Sequence, residues 1–467
     1  MRAVVCGAGI AGLALAGCLG RRGWDVVVLE RAPRPREQGY MMDFFGPGWD
    51  AAEEMGVLPA VLELGYRVER LSYVDDRGRD RAGLPFARFA HALDGHLVSV
   101  MRPDLERVLR EHARGVAELR YGRRVAGVRQ RPGGAGAVLD DGTVLDADLV
   151  VGADGVHSAV RRSAFGPEER FRRWLGLHTA AFVVDDPEAC RQVGDRFCLT
   201  DSIDRAMGFY GLRDGRLAVF AVHRAAAPSL PADPRGTLRA VHGSLGWIVP
   251  RVLAACPGGD RLYYDQVVQI ELPRWSSGRV VLLGDSGQAV SLLGGQGASL
   301  GIAGAWLLAE RLDRAGSVEE ALTGWERLDA VVAFAVGVNI IVTGISLMHE
   351  SVSGLLDKAL SDEDHEVITE ILRRRTDGSV TFHGLQTREA GQQKFMNVHV
   401  LVPDEWTVKQ GHDYIEDLER ELMGRLPELT VLTHLEPISD PTSYEDIPAA
   451  HVRIHDDDHD PTRPPQA

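Results

Sequence analysis

Ala3-Val4-Val5-Cys6-Gly7-Ala8-Gly9-Ile10-Ala11-Gly12 runs from a wholly apolar segment through three glycines into residues with helical spacing that continue to Leu19. A short apolar run bounded in this way reads as a buried parallel strand, so the pattern is strand, glycine turn, helix. Gly7 permits the tight turn and Gly9 lets a pyrophosphate approach the backbone. Gly12 lets helix and strand pack closely, with the helix amino terminus facing the phosphates. A second apolar strand, Asp25-Val26-Val27-Val28-Leu29, ends in Glu30, at the distance expected of an acid that accepts hydrogen bonds from ribose hydroxyls. Gly7, Gly9, Ile10, Ala11, Gly12, Glu30 and Arg31 are therefore the candidate dinucleotide-binding set, and the fold class is α/β, with a Rossmann-like domain.

Beyond this stretch, 467 residues are too many for one ordinary core and imply two or three folding units. Hydrophobic residues make up 45% and charged residues 25%, which excludes global disorder. The net charge of −15 argues against nucleic acid as a partner, because phosphate binding needs a basic face. Cys6, Cys18, Cys190, Cys198 and Cys256 form no CxxC pair, so neither a disulfide framework nor a thiolate zinc site is indicated, and a reducing cytosol fits. Arg2 with the apolar run to Leu19 has a superficial likeness to a secretory signal, but the glycine turn accounts for its glycines better.

Two further strand ends carry chemistry. Leu149-Val150-Val151-Gly152-Ala153-Asp154-Gly155 is followed by Ser158, Arg161 and Arg162, and Val280-Val281-Leu282-Leu283-Gly284-Asp285 is followed by Gly294-Gly295-Gln296-Gly297 and a helical stretch from Ala298 to Leu312. Arg102 lies in Val100-Met101-Arg102-Pro103-Asp104-Leu105. Singly, these are a common turn, a strand end and a solvated arginine. In this order, over about residues 1–325, they resemble the class A FAD-dependent monooxygenases of the aromatic-hydroxylase type.

That resemblance implies FAD as cofactor, with Asp154 and Gly155 in the family's Asp-Gly segment and Gly284-Asp285 at the flavin ribityl chain. It places Arg102 near the flavin phosphates and ring. It also brings the backbone of Gly294, Gly295, Gln296 and Gly297 to the isoalloxazine edge, where amides stabilise negative charge. It further implies NAD(P)H as reductant, molecular oxygen as co-substrate, an aromatic or polyketide-like substrate and a cytoplasmic location. No catalytic side chain stands out. The chain departs from the family at Gln288 and Leu292, where a histidine and a proline are usual. The Trp-x-Trp-x-Ile-Pro segment of flavin-dependent halogenases is missing, and a flavin oxidase or reductase without oxygen insertion remains the alternative chemistry. The expected layout is an FAD-binding domain at 1–168 with a substrate-domain insertion near 71–99, a mainly antiparallel substrate domain at 169–275, and a completing segment at 276–327.

From Leu328 the chain resembles a different family, the cation diffusion facilitators that transport zinc and related divalent metals. The likeness rests on Leu328-Asp329-Ala330-Val331-Val332, on Glu350-Ser351-Val352-Ser353-Gly354-Leu355-Leu356-Asp357 and on Leu385-Gln386-Thr387-Arg388 in place of a Leu-Arg-Thr-Arg signature. Strand and helix patterns then alternate, suiting a small ferredoxin-like domain at 361–445. By this resemblance His383, His399, His412, His434 and Glu436 fall where some members hold divalent metal, and imidazole with carboxylate suits Zn2+. For any one of these histidines alone, an ordinary surface or core role is the competing reading. The resemblance also implies a homodimer through this domain.

The uncharged run from Ala330 to Met348, within an apolar helix at 328–360, is about long enough to cross a bilayer, with a buried helix as the competing reading. Arg311, Arg314 and Arg327 before it, against Lys358 behind, would keep the flavoprotein cytoplasmic. Residues 446–467, with His451, His455 and His459 among aspartates, read as a solvated acidic tail. Transport by this chain alone is excluded, because the earlier membrane helices that carry the family's transport site are missing. The chain thus reads as a fusion, natural or from a misjoined frame. Its alternative identity is a metal-binding dimerisation protein with a degenerate flavoprotein part.

Overall fold

A computed structural model describes residues 1–35, 39–91, 93–290, 295–323, 325, 360–390 and 393–444. The chain divides into two compact units, Met1–Thr343 and Gly344–Ala467.

The first unit is built on a six-stranded sheet in the order Ser276–Ser277, Val280–Leu282, Leu149–Gly152, Arg2–Cys6, Asp25–Glu30, Glu118–Tyr121. Every pairing is parallel except that of the short strand Ser276–Ser277. Its central strands are apolar without alternation because both faces are covered. Ala3 and Val5 pack under the helices Ile10–Arg21, Arg102–Ala113 and Gly297–Arg314. Val4 and Cys6 pack on the other side against the three-stranded antiparallel sheet Val125–Arg131, Gly134–Leu139, Val144–Ala147. Each fully buried valine or leucine contributes roughly 1.5–3 kcal/mol, so the alternation from one residue to the next fixes this strand in its layer.

A seven-stranded sheet follows the order Tyr263–Ile270, Arg172–Val184, Leu217–Arg224, Arg205–Gly211, Arg196–Ser202, Arg70–Val74, Asp80–Pro85. It is antiparallel except where Arg196–Ser202 meets Arg70–Val74. One face carries Phe182, Phe209, Val219 and Ala221 into a core with the helices Pro187–Val193, Pro234–His242 and Val249–Ala254. The other carries Phe197, Tyr210, Phe220 and Tyr263 towards a cavity. The period of two decides which is which: Phe209 and Tyr210 are neighbours in sequence and face opposite ways. A two-stranded ribbon, Met41–Phe45 with Leu97–Met101, closes the cavity wall.

The second unit runs helix Asp362–Arg375, strand Thr381–Ala390, strand Gln393–Val402, helix Val408–Arg425, strand Leu429–Pro437. Its sheet has three strands, with Gln393–Val402 central, antiparallel to Thr381–Ala390 and parallel to Leu429–Pro437. Among the described residues it is thus a three-stranded α+β unit, one strand fewer than a ferredoxin-like sheet. Ile368, Leu372, Leu418 and Leu422 bring both helices onto one sheet face, over Met396, Val398 and Val400. Among the described residues no helix is long and apolar enough to cross a membrane. The apolar segment 330–348 and the acidic tail from residue 446 lie outside the described residues.

Candidate functional site

The glycine turn has the geometry its residues require. Gly7 stands at φ +112°, and a Cβ there would lie 2.3 Å from the Ala153 carbonyl oxygen. A Cβ on Gly12 would lie 2.0 Å from the Gly7 carbonyl oxygen, so neither position accepts a side chain. Gly9 is different: its added Cβ would meet only an Arg102 guanidinium nitrogen, 3.9 Å away. Open space therefore faces the amino end of the helix Ile10–Arg21, which has no side-chain cap and leaves its first backbone N–H groups to an anion.

Glu30 ends its strand beside this turn. Its Oε2 accepts from the Ala8 amide at 3.0 Å and its Oε1 from the Ala32 amide at 2.9 Å. The carboxylate therefore shapes the turn while still lining the cavity, with Arg31 next to it. Asp154 does a related job. One oxygen accepts from the Ser158 hydroxyl at 2.5 Å and the other from the Ala159 amide at 2.7 Å, which caps the helix Ala159–Phe165. Gly155, at φ +76°, turns the chain towards that helix.

Arg161, fully buried, ties this region to the next. Its Nη2 donates to the Val156 carbonyl at 2.6 Å and its Nη1 to the Ser286 carbonyl at 2.9 Å, beside Asp285. Gly284, at φ +60°, makes the turn after the strand Val280–Leu282. Asp285 is exposed within the cavity; the protein packed around it still pushes its carboxyl above the usual range by desolvation, and the charge of Arg102 offsets part of that. Arg102 begins its own helix and is held by Glu106, Nη2 to Oε1 at 2.7 Å.

Most of these groups line one cavity of about 820 Å³, a size ordinary for a small-molecule or cofactor site. Gly7, Gly9, Ile10 and Ala11 form one end with Glu30 and Arg31; Asp285, Gly295 and Gly297 lie further along, and Arg102, Asp154, Gly155 and Gly284 complete the set. Gly12 packs beneath the turn, and Gln296 is buried in the fold. Gly294 lies outside the described residues.

The cavity then continues between aromatic walls. Tyr40 sits 6.3 Å, ring to ring, from both Phe220 and Tyr263, and Phe197 stacks on Tyr210 at 4.1 Å. Phe45 meets Phe89 edge-on at 5.9 Å. Two polar pairs also face it. His157 Nε2 lies 3.1 Å from Asp265 Oδ2; burial raises the Asp265 carboxyl, but its bond to His157, the charges of His157 and Arg172 and the Gln266 amide together outweigh that and hold it below the usual range. Asp43 accepts from the Ser99 hydroxyl at 2.6 Å. Neither pair was among the sequence candidates. Asp43 had a signal, as the single charge in the apolar run Met41-Met42-Asp43-Phe44-Phe45.

In the second unit the sheet register sets His383 opposite His399 and His399 opposite His434. Glu436, two residues beyond His434 on the same strand face, reaches them all: 3.1 Å to His383 Nε2, 2.9 Å to His399 Nδ1 and 3.0 Å to His434 Nδ1. One ligand atom each from His383, His399 and Glu436 lies within 4.8 Å of the others. Imidazole nitrogen and carboxylate oxygen gathered this closely are the donor types that suit a tetrahedral zinc, whose bonds run about 2.0–2.2 Å. His412 is not in the group; it lies on the helix Val408–Arg425 with Glu416 4.0 Å away. A one-residue bulge between His383 and Gln386, with Gly384 at φ +64°, follows the level pairing of His383 with His399.

Comparison with known proteins agrees with both units. An FAD-binding domain family model matches residues 1–230, and a model of the cytoplasmic domain of cation efflux proteins matches residues 360–438. The chain is 32% identical to the uncharacterized protein Rv1260 of Mycobacterium tuberculosis, over 67% of this chain and 85% of that one. It is 30% identical to the FAD-dependent monooxygenase asL6 of Sarocladium schorii, over 70% and 84%. The structure of tetracycline destructase Tet(51) superposes with a TM-score of 0.64 at 25% identity, covering 73% of this chain and 90% of that one. That of Klebsiella pneumoniae HpxO complexed with FAD and uric acid gives 0.60 at 25%, covering 75% and 91%. Separately, an uncharacterized transporter of Synechocystis is 44% identical over 124 residues, which span 40% of its length.

Proposed function

The chain belongs to the FAD-dependent monooxygenases, and on that premise we propose that it uses NAD(P)H to insert one atom of molecular oxygen into an aromatic or polyketide-like small molecule. The observation that carries this reading is the continuity of one cavity, from the glycine turn and Glu30, past Asp285 and Gly295, to the aromatic walls of the seven-stranded sheet.

The residues fit FAD on the structure's own terms. Space at Gly9 beside an uncapped helix suits a pyrophosphate, and Glu30 offers lone pairs beyond its two backbone partners. When bound, FAD supplies the redox chemistry. Arg102 and Asp285 line the same cavity and would hold the ribityl and ring region, and the amides about Gly295 and Gly297 would present donors where negative charge develops. Tyr40, Phe220 and Tyr263 exclude water and give a flat substrate its faces. Release of one 18O atom from labelled dioxygen into product, coupled to NAD(P)H consumption, is the expected result. Substrate dehydrogenation with no label in product would instead favour an oxidase.

A second reading applies to the second unit, where His383, His399 and Glu436 converge. It is proposed to bind Zn2+, and to pair with a second copy of itself as the matched domain family's dimers do. The transporter it resembles lends this chain no transport activity.

A further inference from the structure

One part of the cavity wall is a single layer of chain. Between Val74 and Val98 no described residue is buried, yet this stretch carries Phe89 into the cavity lining. The short helix Phe86–His91 sets Phe86, Phe89 and Ala90 on one half-buried face and leaves Ala87, Arg88 and His91 exposed. Its backbone is fastened at the ends. The Phe86 amide donates to the Glu69 carbonyl at 2.9 Å, and Leu97 enters the ribbon opposite Phe45. From Ala87 to His96 the backbone hydrogen bonds among the described residues reach nothing outside residues 86–97. The Ala90 carbonyl accepts from Leu93 at 3.0 Å and from Gly95 at 2.8 Å, which closes a turn holding Asp94 at φ +52° and Gly95 at φ +80°. Two ring contacts tie the segment to its surroundings: Phe89 meets Phe45 edge-on at 5.9 Å, and His96 stacks on the buried Trp49 at 5.2 Å.

We propose that Ala87–His96 is a strap over the cavity, which opens to pass substrate and closes behind it with Phe89 on Phe45 as the latch. This rests on the monooxygenase reading of the cavity and adds how its substrate gets in. Phe197, Tyr210, Phe220 and Tyr263 sit on strands paired within one sheet, and parting those strands breaks ladder bonds. The strap gives up ring contacts alone when it lifts, because its hydrogen bonds travel with it. Segments with few buried contacts and self-contained hydrogen bonds open locally at small cost. Once closed, the strap keeps water from the site while the chemistry proceeds.

The test uses FAD-loaded full-length protein and two measurements. Without ligand, amide hydrogen exchange across Ala87–His96 should run about a hundredfold or more faster than across Leu97–Met101. With 2-naphthol as probe, exchange in the strap should slow while that of the neighbouring strand stays as it was. Rapid mixing, read from the flavin absorbance, gives the second measurement. Phe89→Ala should raise both the association and the dissociation rate of 2-naphthol, by about two- to tenfold. A side chain that merely lines the cavity would raise dissociation alone. Strap amides that exchange as slowly as those of Leu97–Met101, or an unchanged association rate in Phe89→Ala, overturn the strap. If the parent binds no 2-naphthol, the aromatic-substrate reading falls, and exchange in the ligand-free protein then decides the strap by itself.

Discussion

Arg161 donates a hydrogen bond to the Ser286 carbonyl across 2.9 Å, joining the turn after Asp154 to the turn at Asp285. The two aspartates come from strands that are far apart in sequence, and one buried guanidinium fixes the distance between their turns.

Replacing that guanidinium should therefore loosen both turns together. Arg161→Met leaves the carbonyls of Val156 and Ser286 without their donor, and a loss of about 1.5–3 kcal/mol is expected for each hydrogen bond to a charged group. Urea unfolding of the variant should show a lower midpoint, and FAD should dissociate more readily. An unchanged midpoint would mean that water or a neighbour takes over both carbonyls.

Glu30 carries two duties, since its oxygens accept from Ala8 and Ala32 while the cavity side remains open to a ribose. Glu30→Ala should weaken FAD binding by roughly 1.5–3 kcal/mol, or about tenfold or more. Glu30→Gln keeps an acceptor and should lose less. The check is equilibrium dialysis of FAD against both variants; equal affinity in Glu30→Ala and parent rules out the ribose role.

Behind the seven-stranded sheet, His178, Tyr264, His223 and His242 form a hydrogen-bonded chain. Burial first, and a neighbouring imidazole second, hold His223 down to about 4 and His242 down to about 3. Unfolded histidines titrate near 6.5, so below that pH the unfolded chain binds protons that the folded one refuses. Stability is complete above about 6.5 and is lost as the pH falls from there towards 4. Denaturation midpoints measured across this window should drop steeply for the parent and less steeply for the double variant His223→Gln, His242→Gln. The same slope in both would place the acid sensitivity elsewhere.

Zinc added to the full-length chain should bind the second unit and raise its unfolding temperature, because it binds the folded form preferentially. Affinity should decline below about pH 6, where imidazole becomes protonated. Titration calorimetry of parent against His399→Ala, Glu436→Gln measures this, and undiminished binding by the variant would dismiss the cluster. His412→Ala, remote from the cluster within one chain, should matter less than either.

Much of this architecture was legible in the chain, and for a physical reason. Buried parallel strands such as Ala3–Cys6 and Val26–Leu29 must be apolar on both faces, and glycine is required at Gly7 and Gly12 by contacts of 2.3 and 2.0 Å. Such constraints leave their mark locally. The aromatic walls left none, because Phe197, Tyr210, Phe220 and Tyr263 converge only through the pairing of strands distant in sequence. The convergence of His383, His399 and Glu436 was reached through resemblance rather than spacing, while Asp154 is more fully occupied in capping a helix than its motif suggests.

The bulge after His383 has a consequence for ancestry as well as for shape. Beyond it, Thr387 pairs with Met396; continued without interruption, that register would set His383 opposite Val400 instead of His399. A residue at position 384 that forbade the φ of +64° and straightened the strand would thus turn His383 to the opposite sheet face while every histidine stayed in the sequence. Deleting one residue at Gly384 or Leu385 would instead regularise the ladder and leave His383 opposite His399. A tally of histidines across relatives is therefore a poorer guide to which of them keep the cluster than the conformation of the chain at Gly384.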